Sequence, residues 1–91
     1  MAEIRVNAEG GDVYRVRVTE PDGSTEHLVT ATNADVETFG AGAEPESLIE
    51  ESFRFLLERE PRQSILGRFA LAVIARYFPE YPEEIRGRLE R

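Results

Sequence analysis

Apolar and charged side chains alternate in the first half of the chain with the period of two that is typical of a half-buried β-strand. The segment Tyr14–Val18 follows this alternation at every position. The segment Pro21–Gly23 then predicts a turn, because proline presets φ at the first central position and glycine accepts left-handed backbone. A three-residue loop of this kind pairs Glu20 with Ser24 and forms a β-hairpin.

The register set by this loop separates the hairpin into an apolar face and a mostly polar face. The expected pairs are Val16 with Leu28, Tyr14 with Thr30 and Val18 with Glu26 on the first face, and Arg17 with His27 and Arg15 with Val29 on the second. Two more short strands are expected, an earlier one around Ile4 and Val6 and a later one over Val36–Phe39.

Helical patterns fill the second half of the chain. Pro45 is expected as a first helical residue, where its missing N–H costs nothing, and Glu46 suits the positive end of the helix dipole. The stretch Ser64–Phe78 is almost entirely apolar or small, which predicts a buried helix, either continuous or broken near Phe69–Leu71. A short terminal helix opens at Pro82–Glu84, because acids lead it and arginines follow.

These elements predict an α+β fold in one domain over residues 1–91, β-rich in 1–40 and helical in 45–91. An N-terminal antiparallel hairpin or three-stranded meander would pack against about three C-terminal helices, since so small a sheet is marginal alone. Both long helices carry more apolar surface than one thin sheet covers, so a homodimer is also expected.

Charge and cysteine content narrow the function further. The 91 residues hold 18 acids and 11 basic residues, all arginine, for a net charge of −7, and no cysteine. This balance opposes binding to nucleic acid or to an anionic membrane. Disulfides and thiolate metal sites are excluded. With no secretion signal and no membrane span in the pattern, a cytoplasmic protein is expected.

The sequence predicts no catalytic, cofactor-binding or metal-binding residue. His27 is the single histidine, and it is expected as a surface or half-buried hairpin residue. The acidic pairs at Glu50–Glu51, Glu58 with Glu60, and Glu83–Glu84 fall on polar helix faces or first turns, where carboxyls stay solvated and ionised. No enzyme activity and no cofactor are therefore expected.

Two interpretations involve macromolecular partners. The segment 62–78 can be divided into a helix-turn-helix in which Arg62, Arg68 and Arg76 meet phosphates, although its second helix offers little to read a base edge. Aromatic residues beside arginines also favour protein interfaces, while they equally suit the closure of a small core. The candidate partner-binding residues are Arg68, Arg76, Tyr77, Phe78 and Tyr81.

The C-terminal half resembles a group of short prokaryotic hypothetical proteins that have no assigned activity. The residues that carry this resemblance are Ser52–Pro61, Ser64–Leu66 and Ile74–Tyr81. The resemblance implies nothing about chemistry.

Residues 13–60 resemble the sheet-plus-helix domain of HicB-type antitoxins. The resemblance rests on the order Tyr14-x-Val16-x-Val18, Asp22-Gly23, Val29-Thr30, Gly42 and Pro45-Glu46-x-Leu48, followed by a helix. It implies an acidic sheet domain that holds a toxin, with DNA read by a separate C-terminal segment. The Gly-Asp-Thr signature that precedes the family's helix is replaced by Gly42-Ala43-Glu44, so no functional residue transfers.

The sequence as a whole predicts a small acidic non-catalytic protein that acts as an interaction or regulatory module, antitoxin-like in organisation. Its expected partner is another protein, with a homodimer as well and no membrane. The alternative is a DNA-binding transcriptional regulator that uses the helix-turn-helix-like segment.

Overall fold

The computed structural model describes residues 2–90 and has an α+β fold, as predicted. A three-stranded antiparallel meander comes first, and helices from the second half pack against it. The strands are β1 (Glu3–Gly10), β2 (Val13–Glu20), β3 (Gly23–Thr30) and β4 (Arg68–Ala70); the helices are α1 (Asn33–Phe39), α2 (Pro45–Leu57), α3 (Val73–Tyr77) and α4 (Tyr81–Leu89), with a 3₁₀ turn at Arg62–Ser64. The sheet order is β1-β2-β3-β4, and β4 runs parallel to β3.

The β2–β3 register differs by one residue from the predicted register. Glu20 pairs with Gly23 rather than Ser24, so the loop contains two residues and not three. A slip of one residue exchanges the faces of a strand. His27 and Val29 therefore face the core, while Leu28 lies on the outer face. The adjacent apolar residues Leu28 and Val29 left the sequence pattern no basis for choosing between the two faces.

The early strand around Ile4 and Val6 is confirmed as β1, but the strand predicted over Val36–Phe39 is wrong. That segment is part of α1. The backbone N–H of Asp35 donates to the Thr32 side chain at 3.1 Å, and the Thr32 N–H donates to the Asp35 carboxylate at 3.0 Å. This reciprocal capping box fixes the first turn of the helix and overrides a weak strand pattern.

Helix α2 begins at Pro45, as predicted, and its wide apolar arc is covered within the chain. The helix contacts β1, α1 and α4. Its buried residues are Leu48, Ile49, Ser52, Phe53, Phe55 and Leu56. An arc of this width needs more than one neighbour, and the sheet and α4 supply two. The apolar width of α2 is therefore no reason to expect a dimer.

The continuous helix predicted over Ser64–Phe78 is wrong, and of the alternative broken near Phe69–Leu71 only the second part is helical. The segment folds as the end of the 3₁₀ turn, then strand β4, then the short helix α3. Backbone pairing to β3 competes with helix formation here: the Leu28 N–H donates to the Gly67 carbonyl, and the Leu71 N–H donates to the Thr30 carbonyl, both at 2.8 Å. Tertiary pairing of this kind overrides local propensity.

The terminal helix is confirmed as α4, and its first residue is central to the core. Tyr81 is fully buried, and its ring contacts Phe39 and Phe55 with centroids 5.3 Å apart in each case. Its hydroxyl donates to Oγ of Ser52 at 2.7 Å, and Ser52 donates to the Leu48 carbonyl at 2.7 Å. This chain satisfies both buried hydroxyls and ties α4 to α2.

A buried arginine fastens the β2–β3 turn to the helical half. Arg62 is only 6% exposed, and its Nη1 donates to Glu20 at 2.8 Å and to Asp22 at 3.1 Å. Gly23, the first residue of β3, has φ of +147°, which L side chains rarely adopt. A methyl group at Gly23 would also lie 2.8 Å from Nη2 of Arg62. The backbone conformation therefore requires glycine at this position, and a methyl group would in addition displace the Arg62 guanidinium.

We expect Gly23→Ala to lower the free energy of unfolding by about 1–3 kcal/mol, because it strains the backbone and crowds Arg62. Gly87→Ala is the matched control, since Gly87 lies within α4 with open space around it. That change should raise the free energy of unfolding by about 0.5–1 kcal/mol. Urea unfolding of both variants measures the two effects. A Gly23→Ala protein as stable as the wild type would contradict this account of the turn.

Candidate functional site

An open, mostly apolar groove with a volume of about 340 Å³ lies beside strand β4. We call it the α3 groove. It is formed by the end of α2, the loop before β4, β4 itself and α3, through Leu56, Glu60, Ser64, Ile65, Leu66, Phe69, Val73, Ile74, Tyr77 and Phe78. Only two of these side chains, Glu60 and Ser64, are polar.

Two large apolar side chains of the groove project into solvent. Leu66 is 52% exposed and Tyr77 is 70% exposed, and they are the two exposed large apolar residues in the range 2–90. Helix α3 holds Tyr77 there, because Ile74 is buried and Phe78 packs edge-on against Phe55 at 5.8 Å between centroids. Exposed aromatic side chains on a firmly packed element are typical of protein-binding surfaces.

His27 positions the other wall of the groove. Its Nδ1 donates to the Leu66 carbonyl at 2.8 Å, because a carbonyl can only accept. Thr25 Oγ1 donates to Nε2 at 2.9 Å, and the ring lies against Phe53 with centroids 5.3 Å apart. His27 is 3% exposed, so the expected surface or half-buried position is wrong. The register of β3 places the ring beneath the loop that carries Leu66.

Charged groups at the groove lack ion-pair partners in the described part of the chain. Seven of the ten arginines in residues 2–90 form ion pairs, and Arg68, Arg76 and Arg86 do not. Arg68 and Arg76 are exposed on β4 and α3, the elements that line the groove. Glu60, half-buried in the groove, also forms no ion pair within residues 2–90. The groove therefore combines apolar surface with the unpaired carboxylate of Glu60. Arg76 lies next to Tyr77 on α3, whereas the Arg68 side chain lies on the face of β4 opposite Phe69.

Strand β4 also presents an unpaired backbone edge. It is the last strand of the sheet, with β3 on one side and no described strand on the other. Gly67 and Leu71 direct a carbonyl and an N–H toward β3. In a strand, the backbone N–H and C=O groups of successive residues point alternately to one side of the strand and to the other. The N–H and C=O groups of Arg68 and Ala70 therefore point toward the open side.

The structure brings three of the five predicted partner-binding residues, Arg76, Tyr77 and Phe78, to α3 and its end, and it places the Arg68 side chain on the face of β4 opposite the groove. Arg68, Arg76 and Tyr77 are exposed, and Phe78 is half-buried as part of the groove wall. Tyr81 lies in the core instead, where burial raises the pKa of its hydroxyl. In this conformation it has no surface to offer a partner.

Sequence reasoning missed Leu66, Glu60 and the edge of β4. Leu66 was assigned to a buried helix, and Gly67 directly after it was the available signal that the helix would break. The position of Glu60 depends on α2 ending at Leu57 and on the chain then crossing back to the sheet. No local pattern in the sequence carries that information.

The helix-turn-helix considered over 62–78 is not formed, because the segment contains a 3₁₀ turn, a strand and a helix of five residues. Arg62 cannot meet a phosphate in this conformation, since its guanidinium is buried against Glu20 and Asp22. The fold thus supplies no recognition helix of the expected kind.

Two carboxyl groups at helix ends, Glu58 after α2 and Glu80 before α4, lie in surface ion pairs. The pKa of Glu58 is lowered because Arg88 donates a hydrogen bond to it at 2.6 Å. The pKa of Glu80 is lowered by its own backbone N–H and by Arg59. A general acid needs a raised pKa, so these two groups are poorly suited to that role. Residues 2–90 hold no group of three or more His, Asp or Glu arranged to bind a metal ion.

No helix within residues 2–90 is long and apolar enough to cross a membrane. No protein-family model, curated protein or solved structure matches this chain.

We expect the hydrogen bond from His27 to hold the Leu66 loop and β4 in place. His27→Leu removes the donor, while His27→Asn keeps an N–H near the position of Nδ1. Loss of this part-buried hydrogen bond costs about 0.5–1.5 kcal/mol. Amide hydrogen exchange over residues 65–71 should therefore speed up more in His27→Leu than in His27→Asn. Equal protection of this segment in both variants would show that the loop does not depend on the bond.

Proposed function

We propose that this chain is a non-catalytic protein-interaction module and that the α3 groove is its contact surface. The observation that carries the proposal is the exposure of Tyr77 and Leu66 at an apolar groove, with Arg76 exposed next to Tyr77 on α3. Tyrosine and arginine are enriched among the residues that dominate binding energy at protein interfaces. A soluble monomer gains nothing from leaving such anchors in water.

The shape of the groove favours a protein over a small molecule. Small-molecule sites enclose most of their ligand and place a few converging polar groups around it. The α3 groove is open, and the polar side chains in its walls are Glu60 and Ser64. An open apolar surface with a charged rim matches the core-and-rim arrangement of protein interfaces.

The electrostatics also support a protein partner. The net charge of −7 opposes a polyanion, and the segment 62–78 has no recognition helix that would overcome the repulsion. The lowered pKa values of Glu58 and Glu80 make these two carboxyls poor general acids. The proposal keeps one element of the resemblance to HicB-type antitoxins, namely an acidic sheet domain that binds another protein.

Affinity capture from native lysate tests the proposal with three tagged variants beside the wild type. Tyr77→Glu places a charge at the centre of the surface, whereas Tyr77→Phe keeps the ring. Loss of a dominant interface contact costs about 2 kcal/mol or more, which is roughly 30-fold in affinity. We expect the partner to be retained by Tyr77→Phe and lost with Tyr77→Glu.

Asn7→Glu is the matched control, because it adds the same charge at the opposite edge of the sheet. Circular dichroism and urea unfolding establish that each variant is folded. A protein captured equally by the wild type and by Tyr77→Glu would show that the α3 groove is not the contact surface.

A further inference from the structure

We infer that the occupant of the α3 groove is a second copy of this chain, joined through the open edge of β4 around a two-fold axis at Phe69. The inference rests on the proposed function, since it names the partner of the same surface. Three observations carry it: the backbone geometry of β4, the position of the groove at the same edge, and the unpaired charges.

The open edge of β4 is self-complementary. In an antiparallel ladder, two directly opposed residues of a hydrogen-bonded pair exchange both of their N–H···O bonds. An axis through Phe69 places Arg68 of one copy opposite Ala70 of the other. Arg68 and Ala70 are the residues whose backbone groups point toward the open side. The symmetric arrangement therefore pairs every outward-pointing N–H and C=O of β4 in both copies.

The same axis brings the two grooves together. A two-fold axis perpendicular to the sheet makes the edge strands antiparallel and leaves both helical layers on one side. Phe69 belongs to β4 and also lines the groove. The exposed side chains of Leu66 and Tyr77 of one copy then face the groove of the other. One symmetric contact removes the exposed apolar surface from water in both copies.

The unpaired charges suit a symmetric contact better than a partner of one sign. An acidic partner would be repelled by the net charge of −7, and a basic partner would be repelled by Arg76 beside Tyr77. A second copy presents Glu60 to Arg76 and Arg76 to Glu60. Repulsion between the two net charges is screened beyond about 8 Å at physiological ionic strength. The attraction between opposite charges at the contact therefore outweighs the repulsion between the two net charges.

The two edges of the sheet differ in the way they are protected. Strand β1 is eight residues long and carries Glu3, Arg5 and Glu9, all exposed. Charged side chains along an edge are a common device against strand pairing between chains. Strand β4 carries one charge, Arg68, and the apolar groove lies beside it. β4 is thus the edge that is open to a second strand.

Size-exclusion chromatography with light scattering tests the inference on the full chain at micromolar concentration. We expect the wild type to have twice the 10.3 kDa mass of one chain. Ala70→Pro removes an N–H that no bond to β3 uses, so it should block edge pairing and leave the fold intact. Ala70→Val keeps that N–H and should remain a dimer. We expect Ala70→Pro and Tyr77→Glu to weaken dimerisation at least tenfold.

Hydrogen exchange of the wild type gives a second readout that needs no variant. The amides of Arg68 and Ala70 have no internal partner, so they should exchange quickly in the monomer and gain protection as the concentration rises. A wild type that is monomeric at 100 micromolar, with no gain in protection, overturns the inference. A dimer that both Ala70→Pro and Tyr77→Glu leave unchanged overturns it as well.

The failure of this inference is distinguishable from failure of the proposed function. A monomeric wild type that still captures a different protein through Tyr77 refutes the second copy and retains the interaction surface. A monomeric wild type with no Tyr77-dependent capture refutes both.

Discussion

Parallel pairing of β4 with β3 is the interaction on which the rest of the structure depends. Three residues of strand, with backbone bonds at Gly67 and Leu71, return the chain to the sheet after two helices. His27 adds a side-chain bond to the Leu66 carbonyl at the same place. This pairing places the Phe69 ring against Phe53, with ring centroids 6.0 Å apart. It also fixes the position at which the chain enters α3. The same strand closes one side of the core and leaves an open edge on the other.

Two polar contacts fix the chain on either side of β4 and α3. Arg62 binds Glu20 and Asp22 and thereby fixes the β2–β3 turn beside the entry to β4. Tyr81 binds Ser52 and fixes the exit from α3 against α2. Each is a side-chain bond between segments distant in sequence, and a buried polar group without its partner would be costly. The groove therefore lies on a short segment that is held firmly at its two ends.

Local chemistry made part of this fold predictable from the sequence. Pro45 marked the start of α2, and the alternation over Tyr14–Val18 identified β2, because proline geometry and strand periodicity act within a few residues. The predictions are wrong where contacts with residues distant in sequence determine the secondary structure. The stretch Ser64–Phe78 is apolar in either conformation, and only the free edge of β3 selects a strand for its centre. Among the site residues, Tyr77 was identifiable as an aromatic beside arginine, but Glu60 came to the groove through the tertiary fold.

A three-residue edge and an apolar groove contribute different quantities to an interface. A hydrogen bond in water contributes a net free energy of about 1 kcal/mol. A three-residue edge therefore cannot by itself offset the entropy lost when two chains associate. Full burial of a large apolar side chain contributes about 1.5–3 kcal/mol, and the groove offers two exposed ones, Tyr77 and Leu66, beside half-buried Phe69, Val73 and Phe78. The edge of β4 therefore sets register and orientation, while the groove supplies most of the binding energy. Affinity at this surface should consequently follow the aromatic and aliphatic side chains more closely than the charges at the rim.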